Sequence, residues 1–325
     1  MNDVAATLEA EAKALRTGAG AFLAARDVIA VRGAQAEEYL QSQLSQDIGG
    51  LGVGQADDSL LLQPDGKLVA LLRVTRLTGA DFLLDVEAGF GGVVVERLTR
   101  FLLRTKVEME RLDWRCLSLR GASVDEAGRS VRSALAEAGV LELPFEWNGW
   151  RGVDLLGPAD VVVEPSSDSG VTPCRPAVVE ACRIVSGLPA MGAELGDKTI
   201  AAEAGLVERA VSFTKGCYTG QELVARIDAR GSNVARRLVG VRSGDDPEVV
   251  TLSVGMTLHA GDEVADVAAD KVVGAVTSAA WSPELGAWVG LGYLHRSVAA
   301  PGPVRLRSGD GTGASRRAEV RTLPF

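Results

Sequence analysis

Strand and helix patterns alternate irregularly along the first 235 residues, and this irregularity constrains the fold more than any other feature of the sequence. Apolar, strand-like runs occur at residues 27–33 and 81–86, whereas the apolar residues of segment 34–44 recur at helical spacing. Such a mixture predicts an α+β fold rather than a doubly wound parallel sheet. No G-x-G-x-x-G follows a strand and no G-x-x-x-x-G-K-[ST] occurs, so the patterns give no support to nucleotide binding.

A hairpin is the clearest local prediction in this region. Two apolar runs, 59–63 and 68–74, flank the turn 64–67, in which proline presets φ and glycine accepts a positive φ. Residues 1–20 have the pattern of a short amphipathic helix or a loose arm. The remaining patterns predict helices at 92–103, 130–138 and 176–185, strands at 115–119 and 152–156, and a loop at 164–173.

The pattern changes near residue 236. From there, short and often β-branched apolar runs recur between glycine and proline turns, at 238–241, 272–276, 288–291 and 304–306. This spacing is typical of a small antiparallel barrel or sandwich. We therefore expect two regions, an α+β body over residues 1–235, built of two subdomains, and a β-barrel over residues 236–325.

Charge and composition exclude several classes of protein. The formal net charge is −9, which argues against a broad basic surface for nucleic acid. No apolar run reaches the ~20 residues that a membrane-spanning helix needs, and the charged N-terminal segment does not resemble a signal peptide. We expect a cytoplasmic protein without membrane contact. Four cysteines without a C-x-x-C pair and only two histidines predict no metal site.

The segment 212–231 carries the strongest chemical signal. Thr219 and Glu222 have the spacing of a capping box, which predicts a helix that begins after Thr219 and ends near Gly231. Cys217 precedes this cap by two residues, so the positive end of the helix and Lys215 would both favour its thiolate. The sequence thus predicts a reactive Cys217, the alternative being a small buried apolar residue.

Four arginines follow within twelve residues, at positions 226, 230, 236 and 237. A solvated face is one interpretation of this cluster. The other is a local anion site for a polyglutamate tail, a phosphate or RNA.

Residues 215–222, Lys-Gly-Cys-Tyr-Thr-Gly-Gln-Glu, resemble the K-G-C-Y-x-G-Q-E signature of the YgfZ-type folate-binding proteins, which are relatives of the glycine-cleavage T-protein, an aminomethyltransferase. Segments 39–48, 64–68 and 183–192 resemble further motifs of this superfamily, in the same order. Glu203 fits its P-x-E position, with Ala201 in place of the proline. Segments 274–278 and 283–285 resemble its C-terminal barrel.

The resemblance implies a T-protein-like folate-binding body around a central cavity, followed by a small antiparallel β-barrel. It implies tetrahydrofolate as the cofactor and proteins of iron–sulfur cluster assembly, or cluster-containing proteins, as partners. It also implies an indirect link to tRNA modification, through enzymes that depend on clusters. The residues it assigns are Cys217 and Lys215 as the reactive pair, and Tyr218, Gln221, Glu222, Glu203, Arg226 and Asp47 as folate-binding residues.

Three departures from the family pattern shape the functional prediction. The aminomethyltransferases carry an aspartate just after the hairpin glycine that serves the folate chemistry, but segment 68–72 contains no carboxylate here. They also tend to have an acidic residue where Cys217 stands. Arg26 and Val179 occupy positions at which some YgfZ-type proteins have tryptophans.

We therefore predict a folate-binding accessory factor for iron–sulfur cluster assembly or repair. The main alternative is a folate-dependent one-carbon transferase or demethylase, in which Glu222 or Glu203 pairs with the pteridine edge. A third alternative is RNA binding through the arginine cluster, against which the net negative charge argues.

Overall fold

Two five-stranded sheets and a closed barrel organise the chain. The structure is a computed structural model that describes residues 2–166, 168–243, 251–260, 271–308 and 315–325. Its helices are α1 (Asn2–Arg16), α2 (Ala36–Gln43), α3 (Gly91–Thr99), α4 (Val124–Ala127), α5 (Arg129–Glu137), α6 (Pro176–Val185), α7 (Val207–Ala210) and α8 (Gln221–Asp228). None of these helices is long and apolar enough to cross a membrane.

The first sheet is antiparallel and has the strand order β3-β4-β5-β2-β6. Its strands are β2 (Arg26–Arg32), β3 (Ala56–Leu62), β4 (Leu68–Arg76), β5 (Asp81–Glu87) and β6 (Glu108–Leu112). The predicted hairpin is confirmed as β3–β4, and Gly66 in its turn has a φ of +81°. Leucine and valine side chains of these strands pack against α2 and α3 to form the largest core of the molecule.

The second sheet has the order β10-β1-β7-β9-β8. Its strands are β1 (Gly20–Ala24), β7 (Trp114–Arg120), β8 (Leu141–Trp147), β9 (Trp150–Pro158) and β10 (Thr172–Pro173), and only the β1–β10 pair is parallel. Helices α1 and α6 pack on each other beside this sheet through Leu15, Val178 and Cys182. The chain therefore has the predicted α+β body.

The C-terminal region is a closed antiparallel barrel, as the spacing of its apolar runs predicts. The order is β11-β14-β13-β12-β15-β16. The strands are β11 (Arg236–Ser243), β12 (Thr257–Ala260), β13 (Val272–Ser282), β14 (Ala287–His295), β15 (Gly302–Arg307) and β16 (Arg316–Arg321). Helix α6 packs on its outer face, where Ile184 and Val185 contact a small apolar cluster with Val289 and Leu291.

The start of α8 differs from the prediction. The N-cap is Gly220, with a φ of +84°, and no side chain caps the helix, so the predicted capping box of Thr219 and Glu222 is wrong. A Cβ at Gly220 would lie 2.6 Å from the Gln63 carbonyl oxygen, so this position must approach the hairpin without a side chain. The left-handed backbone of that glycine ends the loop, and the helix begins one residue later.

The other predicted elements agree with the structure apart from their ends. Helix α3 ends at Thr99, whereas the pattern predicts a helix to residue 103. The predicted loop 164–173 includes the short strand β10, and its residue 167 lies outside the described residues. The sequence patterns do not predict strands β1, β6, β8, β12 and β16. In three of these strands, β6, β8 and β16, exposed charged residues interrupt the apolar residues, so the apolar pattern is weak.

Candidate functional site

A cavity of about 720 Å³ lies between the two sheets, α1 and α6. This volume is within the roughly 300–1,000 Å³ range of small-molecule sites. We call it the central cavity. Its aromatic lining consists of Phe22, Phe145, Trp147 and Trp150, and its charged lining consists of Glu11, Arg26, Asp58, Arg73, Glu87, Arg120, Asp154, Glu164, Arg175, Glu180 and Arg183.

The aromatic wall is built by the turn between β8 and β9. Positive φ values at Asn148 and Gly149 reverse the chain so that Trp147 pairs with Trp150 across the hairpin. The Trp150 indole N–H donates to the Leu15 carbonyl at 3.1 Å, and Phe145 meets the Trp150 ring edge-on, with centroids 5.7 Å apart. A rigid aromatic wall of this kind suits a planar heteroaromatic ligand.

Strand register places five charged side chains at the point where the sheets meet. Arg73 stands opposite Asp85 in the β4–β5 pair, and Arg120 and Asp154 lie on the paired strands β7 and β9. Arg73 donates to Asp85 Oδ2 at 2.9 Å and to Asp154 Oδ2 at 2.7 Å, which joins the two sheets. We call Arg26, Arg73, Asp85, Arg120 and Asp154 the charge network.

The two carboxylates of the charge network are ionised. Burial opposes ionisation of Asp154, but Arg120 and Arg73 outweigh it and hold the pKa of its carboxyl well below the usual value. Arg26 and Arg73 likewise outweigh the effect of burial and lower the pKa of Asp85. Three guanidinium groups thus face two carboxylates, and Arg120 also stacks on Phe145, with its Cζ 3.6 Å from the ring centroid.

A second cluster forms around the segment that carries Cys217. Lys215 Nζ donates to the backbone carbonyls of Gln41, Leu44 and Gln46 at 2.6, 2.7 and 2.9 Å. These carbonyls lie at the C-terminal end of α2, where a cation is favourable. Burial lowers the pKa of Lys215 to about 8, while the charge of Asp47 opposes this shift. Because all three ammonium protons are used, Lys215 fixes the loop and does not donate to the Cys217 sulfur.

The hairpin turn completes this second cluster. Gly66 packs so closely on α8 that a Cβ there would lie 2.4 Å from Leu223 Cβ. The Thr219 amide donates to the Ser42 carbonyl at 3.1 Å, which ties the signature segment to α2. Segments 39–48, 64–68 and 215–222 therefore meet, and we call this assembly the motif cluster. Cys217 is exposed on it.

None of the eight predicted site residues lines the central cavity. Cys217, Glu222 and Arg226 are exposed, and the Gln221 side chain accepts from the Tyr218 amide at 3.2 Å. The Cys217 thiol is open to solvent and does not line the central cavity. The three hydrogen bonds of Lys215 hold the loop against α2, and this contact keeps Cys217 outside the cavity.

Two other predicted residues have structural partners elsewhere. Asp47 accepts from the Gln41 side chain at 2.8 Å. Glu203 is buried and accepts from Arg236 Nε at 3.0 Å, at the junction of body and barrel. Arg237 donates to the Val298 carbonyl, so half of the predicted arginine cluster is used in internal contacts.

Sequence reasoning missed the cavity lining and the charge network, although signals for two residues of the charge network were present. Arg73 and Asp85 interrupt strongly apolar strands, and charged residues inside buried strands are paired. The two positions aligned with family tryptophans, Arg26 and Val179, both line the cavity.

An α+β body with a ligand cavity, followed by a six-stranded barrel, defines the class of protein. Residues 2–147 match the GCVT N-terminal domain, and residues 236–325 match the glycine cleavage T-protein C-terminal barrel domain. The chain is thus similar to the glycine cleavage T-protein in both of its domains. Members of this family bind tetrahydrofolate, the cofactor that the resemblance implies.

Individual relatives agree with this assignment. An uncharacterized protein of Haemophilus influenzae is 29% identical over 63% of this chain and 67% of its own length. An aminomethyltransferase of Streptomyces avermitilis is 29% identical over 96% of this chain and 87% of its own length. The structure of glycine cleavage system aminomethyltransferase T from Bartonella henselae has the same fold, with a TM-score of 0.78 and 22% identity over 98% of this chain and 89% of that one.

Proposed function

We propose that the central cavity binds a tetrahydrofolate derivative and that the protein is a YgfZ-type accessory factor for iron–sulfur cluster assembly or repair. In this role it supports cluster-dependent enzymes, including those that modify tRNA. The observation that carries the proposal is the separation of two features: an aromatic-lined cavity, and an exposed Cys217 on an anchored loop outside it.

The cavity residues fit a folate. Trp147, Trp150 and Phe145 offer flat apolar surfaces for a pteridine ring, and Glu87 supplies a carboxylate on the same lining. Folate bound there would be oriented by these groups between the two sheets. Its own chemistry would be the carriage of a one-carbon unit.

The wall formed by β4 favours an accessory role over transfer chemistry. Leu71 and Leu72 line the cavity in the stretch where the aminomethyltransferases carry their aspartate. An apolar wall offers no proton acceptor to a substrate amine at that position. This departure supports binding of folate without the glycine-cleavage reaction.

Cys217 would act on a partner rather than hold a cluster alone. Iron–sulfur clusters usually need four thiolates, and the other three cysteines, at 116, 174 and 182, are buried. Among the described residues, no group of three or more His, Cys, Asp or Glu side chains is placed to hold a metal ion. The cluster is therefore cargo, met by the exposed thiol together with ligands from a partner protein.

A complementation experiment tests the role of Cys217. Cells that lack the gene receive the wild type, Cys217→Ser, or Thr214→Ala, an exposed position of the same loop. We expect the wild type and the Thr214 variant to restore the activity of a [4Fe–4S] enzyme, and Cys217→Ser to fail at equal protein abundance. Full restoration by Cys217→Ser would remove the thiol from the mechanism.

One-carbon transfer is the second candidate function, favoured by the near full-length match to aminomethyltransferases. It predicts that the purified protein converts tetrahydrofolate and an aminomethyl donor to 5,10-methylenetetrahydrofolate and ammonia, or transfers the methyl group of a methylamine donor to tetrahydrofolate, which gives 5-methyltetrahydrofolate and the demethylated amine. Tetrahydrofolate binding without turnover of either donor would support the accessory role instead.

A further inference from the structure

The carboxylates that line the central cavity differ in whether their oxygens are already used. Four of them form ion pairs: Glu11 with Arg175, Asp58 with Arg209, Asp154 with Arg73 and Arg120, and Glu180 with Arg183. Glu164 is exposed at the rim. Glu87, at the end of β5, forms no ion pair within 4.0 Å in the described part of the chain.

Glu87 has a single hydrogen-bond donor in the structure. The Met191 amide donates to Glu87 Oε2 at 3.2 Å, and Oε1 accepts from no described group. The carboxylate is only partly exposed and faces the cavity beside Arg26 and Arg183. Burial raises its pKa, as does the charge of Glu194, whereas Arg26, the Met191 amide and Arg183 lower it.

Asp154, in contrast, has no carboxylate oxygen that is left without a hydrogen-bond donor. Its Oδ1 accepts from Ser118 Oγ at 2.6 Å and Arg120 Nη2 at 2.7 Å, and its Oδ2 accepts from Arg73. A ligand that used Asp154 would have to displace one of these buried donors, which is costly. A ligand that used Glu87 would displace none of the described groups from Oε1.

We propose that Glu87 is the specificity-determining residue of the cavity, which accepts hydrogen bonds from the adjacent ring N–H and amino group of a pteridine. The inference rests on the proposed function, since it presupposes that the cavity takes a folate. Two parallel N–H donors match the two oxygens of a carboxylate, and such charge-assisted bonds are stronger than neutral ones. Arg26 and Arg183 lower the pKa of Glu87, against the effect of burial, without forming an ion pair with it within 4.0 Å.

The test uses two ligands and three proteins. Tetrahydrofolate offers both donors, whereas 2-desamino-2-methyl-tetrahydrofolate lacks the amino group. Dissociation constants of both are measured anaerobically by calorimetry for the wild type, Glu87→Gln and Glu96→Gln. The Glu96 variant is a matched control, since the same substitution removes an exposed carboxylate of α3 that does not line the cavity.

We expect Glu87→Gln to weaken tetrahydrofolate binding about 10- to 100-fold, because it replaces one acceptor oxygen with a donor. Glu96→Gln should stay within about 3-fold of the wild type. The wild type should prefer tetrahydrofolate to the analogue at least tenfold, and Glu87→Gln should lose that preference.

Unchanged affinity in a folded Glu87→Gln variant would overturn the assignment of Glu87 and leave folate binding intact. Failure of the wild type to bind tetrahydrofolate would instead overturn the proposed function of the cavity. If Glu87→Gln does not fold, the test rests on the two dissociation constants of the wild type. Equal affinity for tetrahydrofolate and the analogue refutes the proposal, and a tenfold preference for tetrahydrofolate supports it.

Discussion

Replacing Asp154 with asparagine should destabilise the protein by about 3–5 kcal/mol, the range for removing one partner of a buried ion pair. The side chain accepts from Arg73 and Arg120, both at 2.7 Å, and from Ser118 at 2.6 Å. Each hydrogen bond to a charged group contributes roughly 1.5–3 kcal/mol. In the variant the hydrogen bonds from Arg73 and Arg120 both weaken, although the asparagine oxygen still accepts from one of them. The sum of these losses is again about 3–5 kcal/mol.

The cost is large because the guanidinium groups cannot reach water. Arg73 keeps its contact with Asp85, but Arg120, which is 3% exposed, loses its only described ion pair. The contribution also depends on pH. Since the folded pKa of Asp154 lies below the unfolded value, its stabilisation is complete above about pH 4 and is lost as the pH falls through the folded pKa. The difference between wild type and variant should therefore shrink in acid.

Urea unfolding followed by tryptophan fluorescence measures this effect. The matched control is Glu96→Gln, which breaks a pair with Arg100 whose side chains are 71% and 62% exposed, and it should cost no more than about 0.5 kcal/mol. If Asp154→Asn lowers the free energy of unfolding by less than about 1 kcal/mol at pH 7, the reasoning is refuted. Such a result would mean that water or another carboxylate stabilises the charge of Arg120 in the variant.

Two further predictions concern the cysteines and the motif cluster. Burial raises the pKa of Cys116 and Cys182 to about 12 and that of Cys174 to about 11, so a thiol reagent at pH 8 should label one cysteine rapidly. Cys217→Ser should abolish that fast phase, and a remaining fast phase would contradict the burial of the other three. Gly66 and Gly54 share a φ of +81°, but only Gly66 lacks room for a Cβ. In urea unfolding, Gly54→Ala should lower the free energy of unfolding by roughly 1 kcal/mol, and Gly66→Ala should lower it by about 1–3 kcal/mol more. Equal losses would show that the hairpin can shift to make room for the added methyl group.

Elements defined by local rules could be predicted from the sequence. The hairpin β3–β4 follows from the Pro-Asp-Gly turn, and α6 has the proline at its first residue that favours a helix start. The barrel follows from regularly spaced apolar runs. In each case the pattern and the tertiary structure agree, because the same residues satisfy local backbone preference and burial.

The central cavity could not be predicted in this way, because its residues come from strands that are distant along the chain. Arg73 and Asp154 are separated by 81 positions and meet only when the two sheets pack. The tryptophans of the β8–β9 turn are only three positions apart in sequence, but nothing local indicates which side of the sheet faces a ligand. Glu87 has no sequence signal either, since its distinguishing property, an Oε1 that accepts from no described group, arises only in the folded protein.

The position of the motif cluster explains why a strong sequence signature does not mark the cavity. The hairpin turn and strand β4 connect the motif cluster to the cavity. Gly66 lies at the motif cluster and Leu71 lies on the cavity wall, and these two residues are five positions, or roughly 17 Å of extended chain, apart. Gly66, Gly220 and Lys215 are required there by packing and by the carbonyls of α2. Cys217 meets no such requirement, because it is exposed on the anchored loop. Packing therefore accounts for these neighbours of Cys217 but not for the thiol, and the proposed chemistry with a partner would give a reason for a cysteine at this position.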